Sequence, residues 1–227
     1  MNPISEILNC DCLDYTRTMP DGFFDLAVVD PPYGIGRSWN KDRSSTFYGH
    51  RSSYDNASIP GKEYFDELFR VSRNQIIWGA NYYTEFLPAR NSWIVWDKGI
   101  DYPTQHMSEG ELAWTSFEVP LRIVRLVWNG FCRCGKRSGI HPHEKPKELY
   151  KWIFDNYAMG GGRILDTHLG SGSSRIAAWY AGLDFYGCEI DNGYYEAQQK
   201  RFDEECLQSV RMPSGAIARQ LTLFDQL

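Results

Sequence analysis

The sequence predicts an α/β protein with a mostly parallel sheet and helices on both faces of that sheet. Short apolar runs alternate with amphipathic helical stretches along the 227 residues, which favours parallel strands joined by crossover helices. Residues 163–191 combine a strand, a glycine-rich turn, a helix and a second strand ending in an acid, as in the nucleoside-binding half of a Rossmann-like sheet. Residues 111–117 and 121–128 are predicted to add an antiparallel hairpin.

The elements follow from apolar periodicity, taken in chain order. Residues 4–8 predict a strand and residues 13–19 a short helix, after which Pro20-Asp21-Gly22 forms a turn. The apolar run at residues 24–29 predicts a buried strand. The same periodicities predict the later elements: a helix over 61–72, strands over 74–78 and 92–96, a helix opening at Pro146, a strand over 163–166, a helix over 174–181 and a strand over 184–190.

Composition indicates one globular domain, which we expect over residues 1–207, followed by a tail over residues 208–227. The chain is 42% hydrophobic and 15% aromatic, enough to bury a core. Its formal net charge of -5 argues against a non-specific nucleic-acid binder but not against an enzyme with a local basic groove. The start lacks a basic region and a long apolar run, and no stretch is long enough to cross a membrane, so we expect a cytoplasmic protein.

Asp30-Pro31-Pro32-Tyr33 stands where the strand over residues 24–29 ends. Two prolines cannot continue a strand ladder, so the backbone must leave the sheet in a stiff turn, at the edge where open α/β sheets bind ligands. Asp30 and the Pro31 carbonyl can accept the two hydrogens of an exocyclic base amine, and Tyr33 can stack on a base rotated out of its helix. The alternative is a rigid turn in which Tyr33 merely packs.

The glycine-rich turn Gly170-Ser171-Gly172 has the features of a nucleoside-cofactor site. Arg175 occupies the third glycine position, which disfavours a dinucleotide, and the absence of a following Gly-Lys-Ser/Thr excludes a P-loop. What remains is a tight turn that lets a cofactor approach the backbone. Glu189, at the end of the next strand, is placed to accept both ribose hydroxyls.

Three motifs together resemble the amino-methyltransferases of DNA, in the circularly permuted order of the beta group. Asp30-Pro31-Pro32-Tyr33 resembles their D-P-P-Y motif, and His141-Pro142-His143-Glu144-Lys145-Pro146 their H-P-x-x-K-P motif. Asp166-Thr167-His168-Leu169-Gly170-Ser171-Gly172-Ser173 is similar to D-P-F-x-G-S-G-T, with departures at Thr167, His168 and Ser173. The resemblance covers nearly all of residues 4–206 and implies a Rossmann-like, S-adenosylmethionine-dependent methyltransferase fold.

The resemblance implies that a methyl group passes from S-adenosylmethionine to the amine of a flipped-out base in double-stranded DNA. Aspartate at the first motif position resembles adenine-N6 enzymes, whereas serine is commoner in cytosine-N4 enzymes, so we predict adenine. Cytosine N4, or a catalytically silent nucleic-acid-binding module of the same fold, are the alternatives. Ring-carbon methylation would need a cysteine nucleophile, typically after a proline, and the chain has no Pro-Cys pair.

The resemblance also implies site residues. Asp11 would contact the cofactor adenine, although it could instead cap the following helix; Lys145 would help to close the pocket around the methionine end. The predicted catalytic residues are Asp30, Pro31, Pro32 and Tyr33. The predicted cofactor contacts are Asp11, Cys12, Asp30, Lys145, Asp166, His168, Gly170, Ser171, Gly172 and Glu189.

Two loops, residues 34–60 and 129–140, are the predicted DNA-recognition loops. In the first, basic residues interleaved with aromatics suit a strand and its bases, and the second is a basic loop suited to phosphate. The alternative is that they are ordinary surface loops. Their small size predicts a short or loosely read site, which a homodimer would widen, as in a solitary or phage-borne enzyme. The predicted DNA contacts are Arg37, Trp39, Lys41, Arg43, Arg51, Arg133, Lys136 and Arg137.

Two further patterns bear on metals and partners. Cys132-Arg133-Cys134 with His141-Pro142-His143 could form a Cys2His2 set, but both spacings are tighter than usual zinc patterns, so no metal is predicted. Gln220-Leu221-Thr222-Leu223-Phe224 resembles the peptide with which bacterial replication proteins dock into the sliding clamp. The alternative is a terminal segment that packs on its own domain.

Overall fold

A mixed eight-stranded sheet is the centre of the molecule. The computed structural model describes residues 2–35, 58–100, 108–128, 140–141 and 143–207, and the backbone of two short strands beyond them. In chain order the strands of the sheet are β1 (Ser5–Leu8), β2 (Phe24–Val29), β3 (Ser72–Trp78), β4 (Trp93–Asp97), β5 (Gly110–Thr115), β6 (Arg122–Arg125), β7 (Arg163–Asp166) and β8 (Asp184–Cys188). Their spatial order is β1-β8-β7-β2-β3-β5-β4-β6.

Within this sheet, β5 runs antiparallel to both neighbours, and the other paired strands are parallel. The predicted mostly parallel α/β architecture is therefore confirmed. The helices are α1 (Cys12–Arg17), α2 (Lys62–Val71), α3 (Lys147–Tyr157), α4 (Ser173–Tyr180) and α5 (Asn192–Phe202), and a π-helical turn (Asp203–Leu207) continues α5.

Strand β2 packs against apolar clusters on both faces of the sheet, because its side chains alternate between them. Leu26 and Val28 belong to the cluster that α3 and α4 cover, whereas Ala27 and Val29 belong to the one that α1 and α2 cover. Each large apolar side chain buried in this way contributes about 1.5–3 kcal/mol. Two buried layers hold β2 rigidly, and the turn that follows it starts from a fixed position.

The predicted hairpin between residues 111–117 and 121–128 is wrong. β5 lies between β3 and β4, with Thr115 opposite Ile76 and Trp114 opposite Trp93, so both of its edges are used. β6 pairs instead in parallel with β4, at the edge of the sheet. Three successive residues of β5 are buried, which suits an interior strand, whereas one residue of β6 is buried, as suits an edge strand.

Beyond α5, β9 (Ser209–Arg211) and β10 (Ile217–Arg219) form a separate antiparallel pair within the predicted tail. The predicted clamp-binding peptide, residues 220–224, lies outside the described residues. Over the ranges that the structure describes, no helix is long and apolar enough to span a membrane.

Candidate active site

A cleft of about 380 Å³ opens at the carboxyl edge of the parallel strands. Its lining comes from the residues that directly follow β1, β2, β7 and β8, and from the segment before α3. Parallel strands present their carboxyl ends at one edge of a sheet, so four separate turns converge there. The volume falls within the range of small-molecule sites.

Tyr83 anchors the turn after β2, which the sequence predicted to be catalytic. The hydroxyl of this fully buried tyrosine donates to the carbonyl oxygens of Pro31 and Pro32, at 2.7 Å in each case. The two prolines have no N–H and cannot continue the β2 ladder. A side chain, rather than a neighbouring strand, therefore supplies the donor for their carbonyl oxygens. The Pro31 carbonyl, predicted to accept from the substrate amine, already accepts this bond.

Both oxygens of the Asp30 carboxylate accept hydrogen bonds within the chain. The Tyr33 hydroxyl donates to Oδ1 at 2.6 Å, and the Lys145 ammonium donates to Oδ2. The Tyr33 ring stacks on Tyr82, with ring centroids 5.1 Å apart and planes 15° apart. Burial, followed by the Asp30 carboxylate, raises the pKa of Tyr33 well above its usual value, so Tyr33 remains a neutral donor.

A second carboxylate, Glu111 on β5, completes a charged cluster with Lys145. Its Oε2 lies 3.0 Å from the Lys145 ammonium, and its Oε1 lies 2.7 Å from the ammonium of Lys98. Burial alone would raise the pKa of Glu111, but the two ammonium groups outweigh it and lower the pKa to about 2. The cluster therefore holds ionised groups in a largely buried setting.

Glu189 organises the end of the cleft that the sequence predicted to bind the cofactor. Its Oε2 accepts from the backbone N–H of Gly170 at 2.8 Å, and its Oε1 from that of Asp191 at 2.9 Å. These bonds fix the carboxylate after β8 against the glycine-rich turn after β7. Gly170 adopts a φ of +52°, and a β-carbon there would contact the His141 ring at 3.4 Å. The turn thus brings its backbone close to the segment before α3.

Asp11 has the capping role that the sequence left as an alternative. Its Oδ1 accepts from the backbone N–H groups of Leu13 at 2.7 Å and Asp14 at 3.4 Å, at the start of α1. It also lines the cleft. A helix cap and a cofactor contact are compatible, because a carboxylate has several acceptor positions.

Two predicted cofactor contacts, Asp166 and Gly172, lie outside the lining of the cleft. Asp166 is buried and accepts from the His168 N–H at 3.0 Å and the Ser174 hydroxyl at 2.5 Å. Its burial raises its pKa to about 7. Gly172 precedes α4 with a φ of +76°, and a β-carbon there would lie 3.1 Å from Gln198 Cβ. Both residues therefore shape the glycine-rich turn without lining the cleft.

The structure brings the remaining predicted catalytic and cofactor residues together around one cleft. Those in its lining are Asp11, Cys12, Asp30, Pro31, Pro32, Tyr33, Lys145, His168, Gly170, Ser171 and Glu189. The predicted DNA contacts, from Arg37 to Arg51 and from Arg133 to Arg137, lie outside the described residues, as do Cys132 and Cys134. Among the residues that are described, no group of three or more metal-ligating side chains converges.

Known proteins resemble this chain in sequence at low identity. The family model described as DNA methylase matches residues 95–200. The type II methyltransferase M.HpaI of Haemophilus parainfluenzae is 22% identical over 229 residues, which cover 83% of this chain and 71% of that protein.

Two solved structures share the architecture. A putative DNA modification methylase from Thermus thermophilus, complexed with S-adenosyl-L-methionine, matches with a TM-score of 0.58 at 17% identity, covering 89% of this chain and 94% of that one. The fold is that of the S-adenosylmethionine-dependent methyltransferases. The PvuII DNA methyltransferase, which is cytosine-N4-specific, matches with a TM-score of 0.59 at 13% identity, covering 88% and 87% of the two chains.

Several residues of this methyltransferase fold contribute to the site although sequence reasoning missed them. Arg201 donates to the Ser171 carbonyl at 3.1 Å and lies 3.5 Å from the Glu144 carboxylate, so it joins the glycine-rich turn to the segment before α3. His141 lines the cleft, and burial lowers its pKa to about 3, which keeps the imidazole neutral. The available signal for His141 was its place at the start of the motif over residues 141–146, whereas Arg201 belongs to none of the three motifs.

Proposed function

We propose that the protein transfers a methyl group from S-adenosylmethionine to the N6 amino group of adenine, flipped out of double-stranded DNA. The observation that carries this proposal is the single cleft shared by the turns after β2 and β7. Asp30 follows β2 and Glu189 follows β8, two strands away in the sheet, which is roughly 10 Å. A methyl donor and an acceptor amine can therefore occupy one continuous space.

The residues present suit S-adenosylmethionine. Glu189 is pinned by two backbone N–H groups, and its carboxylate oxygens keep lone pairs for the ribose hydroxyls. Asp11 would accept from the adenine amino group, and Gly170 presents backbone without a side chain. S-adenosylmethionine, when bound, supplies an activated methyl group on its sulfonium.

On the acceptor side, Asp30 and the Pro31 carbonyl would hold the two hydrogens of the amine and orient its nitrogen. The Pro31 oxygen keeps a second lone pair beside the bond from Tyr83. Asp30 becomes available as Tyr33 and Lys145 give up their bonds to it. Tyr33, released from Asp30, is then the aromatic surface beside the base.

Double-stranded DNA is the proposed partner, contacted through the loops over residues 34–60 and 129–140. The order of the three motifs in the sequence supports a beta-group enzyme, and the small size of the two loops supports a short recognition site. A homodimer, and a sliding clamp bound by residues 220–224, remain predictions.

The test of the catalytic assignment is Asp30→Ala. We expect this variant to bind S-adenosylmethionine as the wild type does and to transfer no methyl group to DNA. Asp155→Ala, at an exposed carboxylate of α3, is the matched control and should keep full activity. Substantial turnover by Asp30→Ala would remove Asp30 from the mechanism.

A second candidate is methylation of cytosine N4, which the similarity to the fold of the PvuII enzyme favours. Both reactions need the same geometry around the acceptor amine, so the cleft suits either base. The identity of the base that carries the labelled methyl group distinguishes them. A third candidate, a silent nucleic-acid-binding module, gains some support from the two bonds that occupy Asp30. Titration with S-adenosylmethionine separates it from the other two, because a silent module has no need to bind the cofactor.

A further inference from the structure

The Lys145 ammonium lies between two carboxylates at the acceptor end of the cleft. It donates to Asp30, and Glu111 Oε2 lies 3.0 Å away on its other side. Its side chain is 4% exposed. A buried ammonium is stable only when anions compensate it, so both carboxylates share this task.

The cluster spans separate elements of the fold. Asp30 follows β2, Glu111 belongs to β5, and Lys145 precedes α3. Lys98, just after β4, lies 2.7 Å from Glu111 Oε1 and balances the second negative charge. These four side chains carry two positive and two negative formal charges, so Lys145 keeps an anionic partner in Glu111 when it moves away from Asp30.

Tyr33 donates to one oxygen of Asp30 and Lys145 to the other, so an incoming substrate amine competes with both donors for that carboxylate. When the amine displaces it, the ammonium needs another anion nearby, because a buried charge without a partner is strongly unfavourable. Glu111 is that anion, already within hydrogen-bond distance and already ionised by its contacts with Lys145 and Lys98.

We propose that Glu111 is a positioning residue, which holds Lys145 while the target amine takes its place on Asp30. This inference rests on the proposed function. Without the Glu111 charge, Lys145 would have Asp30 as its one close carboxylate among the described residues, and it would compete with the amine for that group.

Glu111→Gln tests the inference, because it removes the charge and keeps the shape. At saturating cofactor and DNA, kcat should fall about 10- to 100-fold, the effect of losing one charge-assisted bond. The dissociation constant for S-adenosylmethionine should not change. Glu109→Gln, an exposed carboxylate just before β5, is the matched control and should keep the wild-type kcat. Thermal unfolding verifies that each variant is folded. If Glu111→Gln is not, Glu111→Asp keeps the charge but withdraws it from Lys145 by one carbon–carbon bond, and it should lower kcat by a smaller factor.

A second variant separates positioning from structural support. If Glu111→Gln fails because Lys145 stays on Asp30, then adding Lys145→Met should raise kcat above that of Glu111→Gln alone. An unchanged kcat in Glu111→Gln, or no recovery in the double variant, would overturn the inference. A wild-type protein that methylates no DNA would instead overturn the proposed function itself.

Discussion

The Tyr33 ring packs so closely on Gly79 that a β-carbon built on the glycine would lie 2.1 Å from Tyr33 Cε1. Gly79 follows β3 with a φ of +68°, in the left-handed region that favours glycine. Because Gly79 has no side chain, the Tyr33 ring can lie against it while the Tyr33 hydroxyl donates to Asp30. The turn after β3 therefore fixes the position of Tyr33, which follows the neighbouring strand β2.

Gly79→Ala should therefore displace Tyr33. We expect a loss of stability of about 1–2 kcal/mol from the left-handed backbone alone. We also expect about a hundredfold loss of methyl transfer, because the turn that carries Asp30 moves. Urea unfolding and a transfer assay measure the two effects. Gly160→Ala is the control, since a β-carbon at Gly160 meets no atom within 4 Å. Full activity in Gly79→Ala would show that Tyr33 need not lie where it does.

Tyr83→Phe removes the hydroxyl that donates to both proline carbonyls. Two acceptors lose their partner in a buried setting, so the free energy of unfolding should fall by about 1–3 kcal/mol. The turn should also become less well positioned, and kcat should fall while cofactor affinity stays the same. Tyr82→Phe, which keeps the ring stacked on Tyr33, is the comparison. Equal stability of the two variants would contradict the anchoring role of Tyr83.

Arg201→Met should weaken cofactor binding without disturbing the turn after β2. Arg201 joins Ser171 in the glycine-rich turn to Glu144 in the segment before α3. Without it the two walls of the cleft separate, and we expect the dissociation constant for S-adenosylmethionine to rise about tenfold, measured by calorimetry. The adjacent, exposed Lys200 provides the control, as Lys200→Met. An unchanged dissociation constant would mean that the cleft closes without this link.

Asp166 should make stability depend on pH. Burial raises its pKa from 3.8 to about 7 in the folded protein. A raised pKa favours the protonated form of the folded state, so this contribution is complete below the unfolded pKa and is lost as the pH rises through about 7. Asp166→Asn removes it. The stability of the wild type relative to the variant should therefore increase as the pH falls from about 8 to about 5, as measured by chemical unfolding. A difference that is independent of pH would contradict the raised pKa.

The sequence predicted those parts of the fold that depend on local signals. The bounds of β2 and β7 agree with the prediction, because Pro31 ends one strand and a glycine-rich turn ends the other. The helix after Pro146 begins as predicted, since proline is tolerated at a helix start. These residues determine backbone geometry without help from distant parts of the chain.

The sequence did not predict the features that arise from tertiary contacts. The partner of β5 depends on which strand edges are already occupied, so two neighbouring strands in the chain were wrongly paired as a hairpin. Glu111, Gly79 and Tyr83 reach the site from strand β5 and from the turn after β3, and none belongs to a sequence motif. Their roles follow from the sheet order, which places β3 beside β2 and β5 beside β3.

The proposed reaction is the methylation of a base amine of DNA in this cleft. The most direct measurement incubates the protein with mixed-sequence double-stranded DNA and methyl-labelled S-adenosylmethionine, digests the DNA to nucleosides and identifies the labelled one. We expect the label in N6-methyladenine. Label in N4-methylcytosine would contradict the base assignment, and no label from protein that binds the cofactor would contradict the proposed reaction on DNA.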